Sequence, residues 1–393
     1  MTEPKKSNAL RILVAPDSFK GSLSAVQAAA AMARGIAAVF PEAEVLQAPI
    51  ADGGEGTVEA LVAATGGRLM PALVRGPLGE PVRAIWGISG DGATAFIETA
   101  AASGLTLVPE DRRDPRLAST FGTGELIRAA LDAGLRRLVL GLGGSATNDG
   151  GAGMARALGV RFLDAGNREL PDGGAALARL ARVELSGLDP RVEQLSLLAA
   201  CDVENPLCGP QGASAVFGPQ KGATPMMVDV LDTALRHYGI LAAAATGRDI
   251  AARPGAGAAG GLGAGLLFFT PAVLRPGISV VLESIGFERL LQDVDLVLTG
   301  EGRTDAQTAL GKAPMGVADL ARQKGLPVIC LSGSLGAGAE SLLDRGMSAL
   351  ACVPPGPMDL QTCMAEAPEL LEAAAARVCG LVKVGRMLQN RES

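Results

Sequence analysis

Five carboxylates stand close behind apolar runs: Asp17 after ILVAP, Asp52 after LQAPIA, Asp149 after LVLGLGGSATN, Asp202 after LSLLAAC and Glu301 after VDLVLTG. Each alone reads as readily as an N-cap or turn former. Together they suggest one surface, because open parallel sheets bind ligands outside the carboxyl ends of their strands. The lysines sharpen this. Only seven of the 35 basic residues are Lys, and three lie in glycine-rich segments: Lys20 in DSFKGS, Lys221 in GPQKGA and Lys312 in LGKAP. A lysine beside glycine can bring a point charge up to a phosphate while the backbone closes in. Lys324, also before glycine, reads instead as a helix C-terminus.

The segment GLGGSATNDGG, Gly141 to Gly151, runs from a strand end towards a helix expected over Ala152 to Leu158. Glycine-rich turns of this kind expose N–H groups and suit an anion, with phosphate the natural guest. A second reading is a dinucleotide fingerprint on Gly141, Gly143 and Ala146, with Asp164 as the ribose acid. Against it, five residues intervene before the helix can begin. A weaker match, Gly255, Gly257 and Gly260 in PGAGAAGGLG, has no strand before it and reads also as a tight loop with close packing.

After the apolar strand near Val294 to Thr299, a loop over Leu298 to Lys312 carries Glu301, Arg303, Asp305, Gln307, Thr308 and Lys312. Two carboxylates, an Arg and a Lys on one loop suit Mg²⁺ coordination and phosphoryl transfer. The single histidine, His237, reads as a helix-end residue without a catalytic role. Chemistry that relies on histidine relays or His-rich metal sites is thereby set aside.

These residues need a scaffold, and the pattern supplies one. Strands at Ile12 to Ala15 and Val45 to Ile50 alternate with helices near Ser24 to Phe40 and Thr57 to Thr65. The rhythm returns with a helix near Pro314 to Lys324, a strand at Val328 to Leu331 and a last helix near Leu360 to Val384. Alternation of this kind implies a parallel sheet covered on both faces. The expected fold is therefore α/β with two domains: a discontinuous parallel-sheet domain over 1–75 and 290–393, and an inserted α/β domain over 76–289 with strands at Leu138 to Leu142 and Leu195 to Ala200.

A net charge of -6 and 3% aromatic residues leave neither a basic field nor stacking platforms for nucleic acid. The uncharged stretch Pro254 to Leu274 holds glycines and prolines and reads as a loop entering a buried helix, not a membrane span. A short apolar run after a charged start gives no secretory signal, and six cysteines without a C-x-x-C pair suggest reduced thiols. A cytoplasmic protein, monomer or homodimer, is expected.

Taken together, the motifs resemble the type 1 glycerate kinase family. The matching stretches are APDSFKGSLSA, ADGGEGT, TGELI, GLGGSATNDGG, NPLCGPQGASAVFGPQKGA, GAGAAGGLG and LTGEGRTDAQTALGK, spread over about 300 residues in the family's order. The resemblance implies a two-domain α/β enzyme that uses ATP and Mg²⁺ to phosphorylate D-glycerate, with its site in a cleft between a Rossmann-like domain (1–75 and 290–393) and the inserted domain. Glu204 departs from the pattern, which more often has a shorter residue there. The family leaves individual roles open, and the residues themselves suggest them. Asp202, or failing it Asp305, is expected to accept the hydroxyl proton. Asp52 and Glu301 are expected on the metal side, and Lys20, Lys221 and Lys312 as clamps on phosphate or carboxylate. Asp17, Ser18, Gly143, Gly144, Ser145, Asn148, Asp149, Asn205, Gln220 and Arg303 complete the expected substrate and phosphate contacts. The expected product is 2-phosphoglycerate. The alternatives are 3-phosphoglycerate, an NAD(P)-dependent dehydrogenase of a small hydroxy acid, or a non-catalytic sensor of sugar acids.

Overall fold

The computed structural model describes residues 9–392, except for the side chains of Leu310, Asn390 and Glu392. The charged opening segment read for a leader, residues 1–8, lies outside the described residues. Strands follow in the order β1 (Arg11–Pro16), β2 (Glu44–Gln47), β3 (Arg68–Arg75), β4 (Pro81–Ile88), β5 (Thr94–Glu98), β6 (Arg137–Gly141) and β7 (Arg161–Leu163). They continue with β8 (Arg182–Glu184), β9 (Ser196–Ala200), β10 (Val273–Arg275), β11 (Leu296–Thr304), β12 (Val328–Leu335) and β13 (Ala349–Cys352). The chain divides into two compact units. The first holds the described residues up to Asp52, Glu59–Ala64 and those from Val281 onward; the second holds Gly53–Val58 and Thr65–Val280. The division thus falls at 64/65 and 280/281, about ten residues before the expected 75/76 and 289/290.

The first unit carries a five-stranded parallel sheet in the order β13-β12-β11-β1-β2. Counted within the unit, that is the doubly wound order 2-1-3-4-5, whose switch point lies between β1 and β11. It differs from the dinucleotide-binding order expected of a Rossmann-like sheet. The helix Ala25–Val39 forms because Ser24 and Gln27 build a reciprocal cap: Gln27 N–H donates to Ser24 Oγ (3.3 Å) and Ser24 N–H to Gln27 Oε1 (2.9 Å). Its face of Ala28, Ala31, Met32 and Ile36 packs into the core with Leu371 and Ala375. The absent side chain of Gly35 lets this helix approach Ala367–Glu392, since a Cβ there would overlap the carbonyl oxygen of Glu372.

Two boundaries in this unit depart from the sequence reading. β11 does not end at Thr299 in a loop; it runs to Thr304, paired in parallel with β12 through Glu301↔Ser332 and Thr304↔Leu335. Both strands turn polar together, so the pairing outlasts the apolar signal. The single final helix is two, Leu360–Ala365 and Ala367–Glu392. Pro368 lacks the N–H that a continuous helix would need and restricts the residue before it.

The second unit has a six-stranded sheet, β10-β9-β6-β5-β4-β3, in which the first four strands are parallel and the β3-β4-β5 pairings antiparallel. A small antiparallel pair, β7-β8, stands apart in pairing. The helix Pro225–Thr246 begins at the Thr224 cap with Pro225 in its first turn and ends at left-handed Gly247. His237 therefore sits inside this helix and not at its end, with Nε2 at 2.6 Å from the carbonyl oxygen of Leu180. The uncharged stretch enters a buried helical segment, Ala258–Phe269, that is broken near its start by left-handed Ala259, Gly260 and Gly261. Among the described residues no helix is long and apolar enough to cross a membrane.

Candidate active site

In the first unit, candidate side chains gather beside the end of β1 and the polar part of β11, at the switch point of the sheet. Asp17 N–H donates to the Gly300 carbonyl (2.8 Å), which carries the β1 pairing one residue past its last strand position. Its Oδ1 accepts the Ser18 N–H at 2.6 Å. The Asp17 side chain is buried, and burial, then the charge of Asp52, push its carboxyl up to about 7; Glu301 adds to the push, while Ser18 and Lys20 oppose it. Asp17, Lys20, Asp52 and Glu301 therefore share one electrostatic neighbourhood, which holds three of the five acids that the sequence grouped.

Glu301 is buried as well. Its Oε1 accepts from Thr308 Oγ1 (2.6 Å) and Thr304 Oγ1 (3.0 Å). Burial raises the Glu301 carboxyl, and those two hydroxyls and Lys312 act in the opposite direction. Behind Thr304 stand Ser332 Oγ (2.7 Å) and the Cys330 thiol, which burial pushes up to about 11. Ser332 and Thr304 went unremarked in the sequence. Ser332 follows an apolar run just as the five acids do, and that signal applies equally to hydroxyls.

Asp305 is not disposed as a base. Its Oδ1 accepts the Gln307 N–H (2.9 Å) and its Oδ2 the Arg303 Nε–H (3.2 Å), so it folds its own turn and holds an exposed arginine. Lys312 occupies the N-cap position of the helix Ala313–Gln323.

In the second unit the loop after β6 is organised by a buried cation. Lys221 is almost wholly buried, and Nζ donates to the Thr147 carbonyl (2.7 Å) and to Ser145 Oγ (2.9 Å). Burial pushes its ammonium down to about 7, partly offset by the charge of Asp149. Lys221, expected as a clamp on phosphate or carboxylate, is instead turned inward onto its own chain, while neighbouring Gln220 is exposed. Gly143 and Gly144 retain exposed surface, with Gly144 in the left-handed region.

Asp149 is corrected too. Thr120 N–H (2.8 Å) and Gly153 N–H (3.2 Å) donate to Oδ2, Gly151 N–H (3.1 Å) to Oδ1, and Thr120 Oγ1 to both. With all its acceptor capacity directed at the chain and the residue sealed, it has nothing left for a substrate. Burial raises its carboxyl, and these donors lower it. Asn148 is equally enclosed: Nδ2 donates to Ser214 Oγ (2.9 Å), and Oδ1 is buried without a protein partner. Thr120 and Ser214 gave no sequence signal, being short polar residues far along the chain from the groups they hold.

The fingerprint readings also resolve into packing. The helix after the GLGGSA turn is only Ala152–Ala157, entered through left-handed Gly150 and Gly151. Asp164 accepts from Gly166 N–H and pairs with Arg168, a turn rather than a ribose site. Gly260, also left-handed, lies so close to the Thr147 backbone that a Cβ would overlap its carbonyl oxygen. Asp202 is exposed, and its Oδ1 accepts the Gly277 N–H (2.7 Å) at the start of the helix Gly277–Ser284. Asn205 Nδ2 donates to the Gln211 carbonyl (2.8 Å), closing its own loop.

Among the described residues no three His, Cys, Asp or Glu side chains converge closely enough to hold a metal by themselves. Mg²⁺ in phosphoryl transfer takes one or two carboxylates together with substrate phosphates. The mutually repelling acids Asp17, Asp52 and Glu301 fit that requirement.

The glycerate kinase family model matches residues 12–383. A glycerate kinase of Bacillus subtilis (strain 168) is 52% identical over 96% of this chain and 99% of its own length. The glycerate 2-kinase of Escherichia coli (strain K12) is 52% identical over 83% of this chain and 86% of its own. A crystal structure from Salmonella typhimurium LT2, described as a candidate glycerate kinase 2, covers 97% of this chain and 100% of its own at 49% identity, with a TM-score of 0.89. The chain belongs to the glycerate kinase family. It is accordingly an enzyme, a phosphotransferase with an alcohol group as acceptor.

Proposed function

We propose that the chain transfers the γ-phosphoryl group of ATP to the C2 hydroxyl of D-glycerate, giving 2-phosphoglycerate and ADP, as a type 1 member of the family. The observation that carries this reading is the set of acids, Asp17, Asp52 and Glu301, with Lys20, at the switch point of a doubly wound sheet. Phosphoryl transfer asks for positioning and charge stabilisation more than for covalent help, and a site without histidine suits it. Asp52 and Glu301 are the residues that would hold Mg²⁺, with Asp17 beside them. When bound, the ion supplies neutralisation of phosphate charge.

Lys20 and Lys312 serve this reading as cations for phosphate or carboxylate. Lys221 serves it indirectly, by fixing the loop that carries Gly143 and Gly144. Asp202 is kept as the acid proposed to accept the hydroxyl proton, with Asp305 as the alternative. The cytoplasm is the proposed compartment, where buried thiols such as Cys330 and Cys379 stay reduced.

Support for C2 comes from the Escherichia coli relative, whose name specifies a 2-kinase. The test feeds the product to enolase with and without phosphoglycerate mutase. Signal from enolase alone is the expected result. Signal that needs the mutase makes the product 3-phosphoglycerate and overturns the C2 assignment.

A further inference from the structure

Around Glu301 the hydroxyl protons have one consistent order. The Asp305 N–H donates to Thr308 Oγ1 (3.3 Å), so that oxygen already accepts and its own proton goes to Glu301 Oε1, 2.6 Å away. Thr304 has a single proton and lies 3.0 Å from the same Oε1. With that proton committed to the carboxylate, Ser332 must donate across the 2.7 Å contact to Thr304, and the Cys330 thiol can donate to Ser332 at 3.5 Å. The chain of donors runs one way, from Cys330 through Ser332 and Thr304, and ends on Oε1.

Two donors on one carboxylate oxygen leave its partner distinct. Oε2 of Glu301 has no hydrogen-bond partner among the described residues, and it is not among their sealed unpartnered atoms. The two oxygens are therefore assigned different tasks by the fold. Thr304 and Thr308 are reached by opposite routes, one within β11 and one in the short helical turn Thr308–Leu310. Rotating the carboxylate would break both bonds at once.

We infer that Thr304 and Thr308 are positioning residues for phosphoryl transfer: they fill Oε1 of Glu301 and thereby present Oε2 alone to the metal–nucleotide complex. This rests on the reading of Glu301 as a metal-side acid. Neither threonine touches substrate in this account; each acts through the carboxylate. Removing the Thr308 hydroxyl takes away the shorter of the two bonds and leaves Thr304 alone to hold Oε1, which loosens the carboxylate and costs affinity for the ion, while a serine keeps the hydroxyl and the bond.

The experiment measures binding of Mn²⁺ in the presence of ADP by the loss of the free-ion electron paramagnetic resonance signal, for wild type, Thr308→Val, Thr308→Ser and Glu301→Gln. Thermal unfolding of each variant checks that it is folded. Partners that orient a metal ligand are typically worth about 10-fold or more in metal affinity. Thr308→Val is expected to weaken Mn²⁺ binding about 10-fold, with Thr308→Ser close to wild type and the KM for glycerate little changed. If Glu301→Gln weakens binding and Thr308→Val does not, the positioning role fails while Glu301 keeps its own. If Thr308→Ser binds as poorly as Thr308→Val, the methyl packing and not the hydroxyl matters, and the inference is overturned. If Glu301→Gln binds Mn²⁺ as wild type does, the metal-side reading itself fails and the inference with it.

Discussion

Lys221 Nζ reaches back 74 residues to donate to the carbonyl oxygen of Thr147 at 2.7 Å. The bond joins the GPQKGA loop to the GLGGSATN loop inside the second unit, and Ser145 Oγ accepts a second proton from the same ammonium. Burying a lysine is costly, and burial pushes this one down to about 7. The cost is retained where it fixes the shape of a glycine-rich turn.

Lys221→Met keeps most of the volume and removes both donors. Turnover measured by ADP release is expected to fall about 10² to 10³-fold, the usual effect of losing one group that organises charge stabilisation. Lys221→Ala adds a cavity to that loss and is expected to melt lower than Lys221→Met. Wild-type kinetics in a folded Lys221→Met protein would show that the loop needs no cation.

Asp149 shows the same economy with opposite charge. The Thr120 and Gly153 N–H groups claim Oδ2, and Gly151 N–H claims Oδ1. Asp149→Asn turns an NH₂ towards at least one of these donors whichever way the amide is set. Urea unfolding is expected to show a loss of about 1 to 3 kcal/mol, the cost of leaving buried polar groups unpaired. A variant as stable as wild type would mean that relief of the buried charge outweighs the lost acceptor.

The positions of the strand-end acids were legible in the sequence because alternation of apolar runs and helical periods fixes where parallel strands stop. Asp17, directly after β1, follows from that rule; Glu301 marks only the end of the apolar run and lies inside β11, opposite Ser332. What surrounds them was not legible, since the partners come from elsewhere in the chain. The extension of β11 to Thr304 depends on pairing with β12, some thirty residues later, and places a threonine where a loop was expected. Asp149 carries the same local signal as Asp17, yet Thr120 encloses it from 29 residues earlier. A surface lysine and a buried one look alike beside glycine. Only the fold separates Lys20, which is exposed, from Lys221.

Asp17 gives a pH-dependent prediction whose sign follows from linkage. Its carboxyl is pushed up to about 7 in the folded protein, by burial and then by the charge of Asp52, from an ordinary value of 3.8. The folded state therefore holds a proton that the unfolded state has already lost between those two values. Stability falls wherever the folded state binds more protons as pH rises, so this residue destabilises the fold progressively from about pH 4 to pH 7 and fully above it. The whole displacement corresponds to about 4 kcal/mol, an upper bound for a side chain that keeps some contact with water. Asp17→Asn retains the oxygen that accepts the Ser18 N–H and removes the charge. In EDTA, urea unfolding is expected to show the variant more stable than wild type, by a margin that widens by about 2 to 3 kcal/mol between pH 5 and pH 8. Activity is expected to be lost in the same variant, because the acid that costs stability is the one kept beside the proposed metal ligands. A margin that stays constant with pH would show that Asp17 titrates as it does in the unfolded chain. A margin that narrows would require a cation strong enough to hold Asp17 ionised, a part that falls first to Lys20.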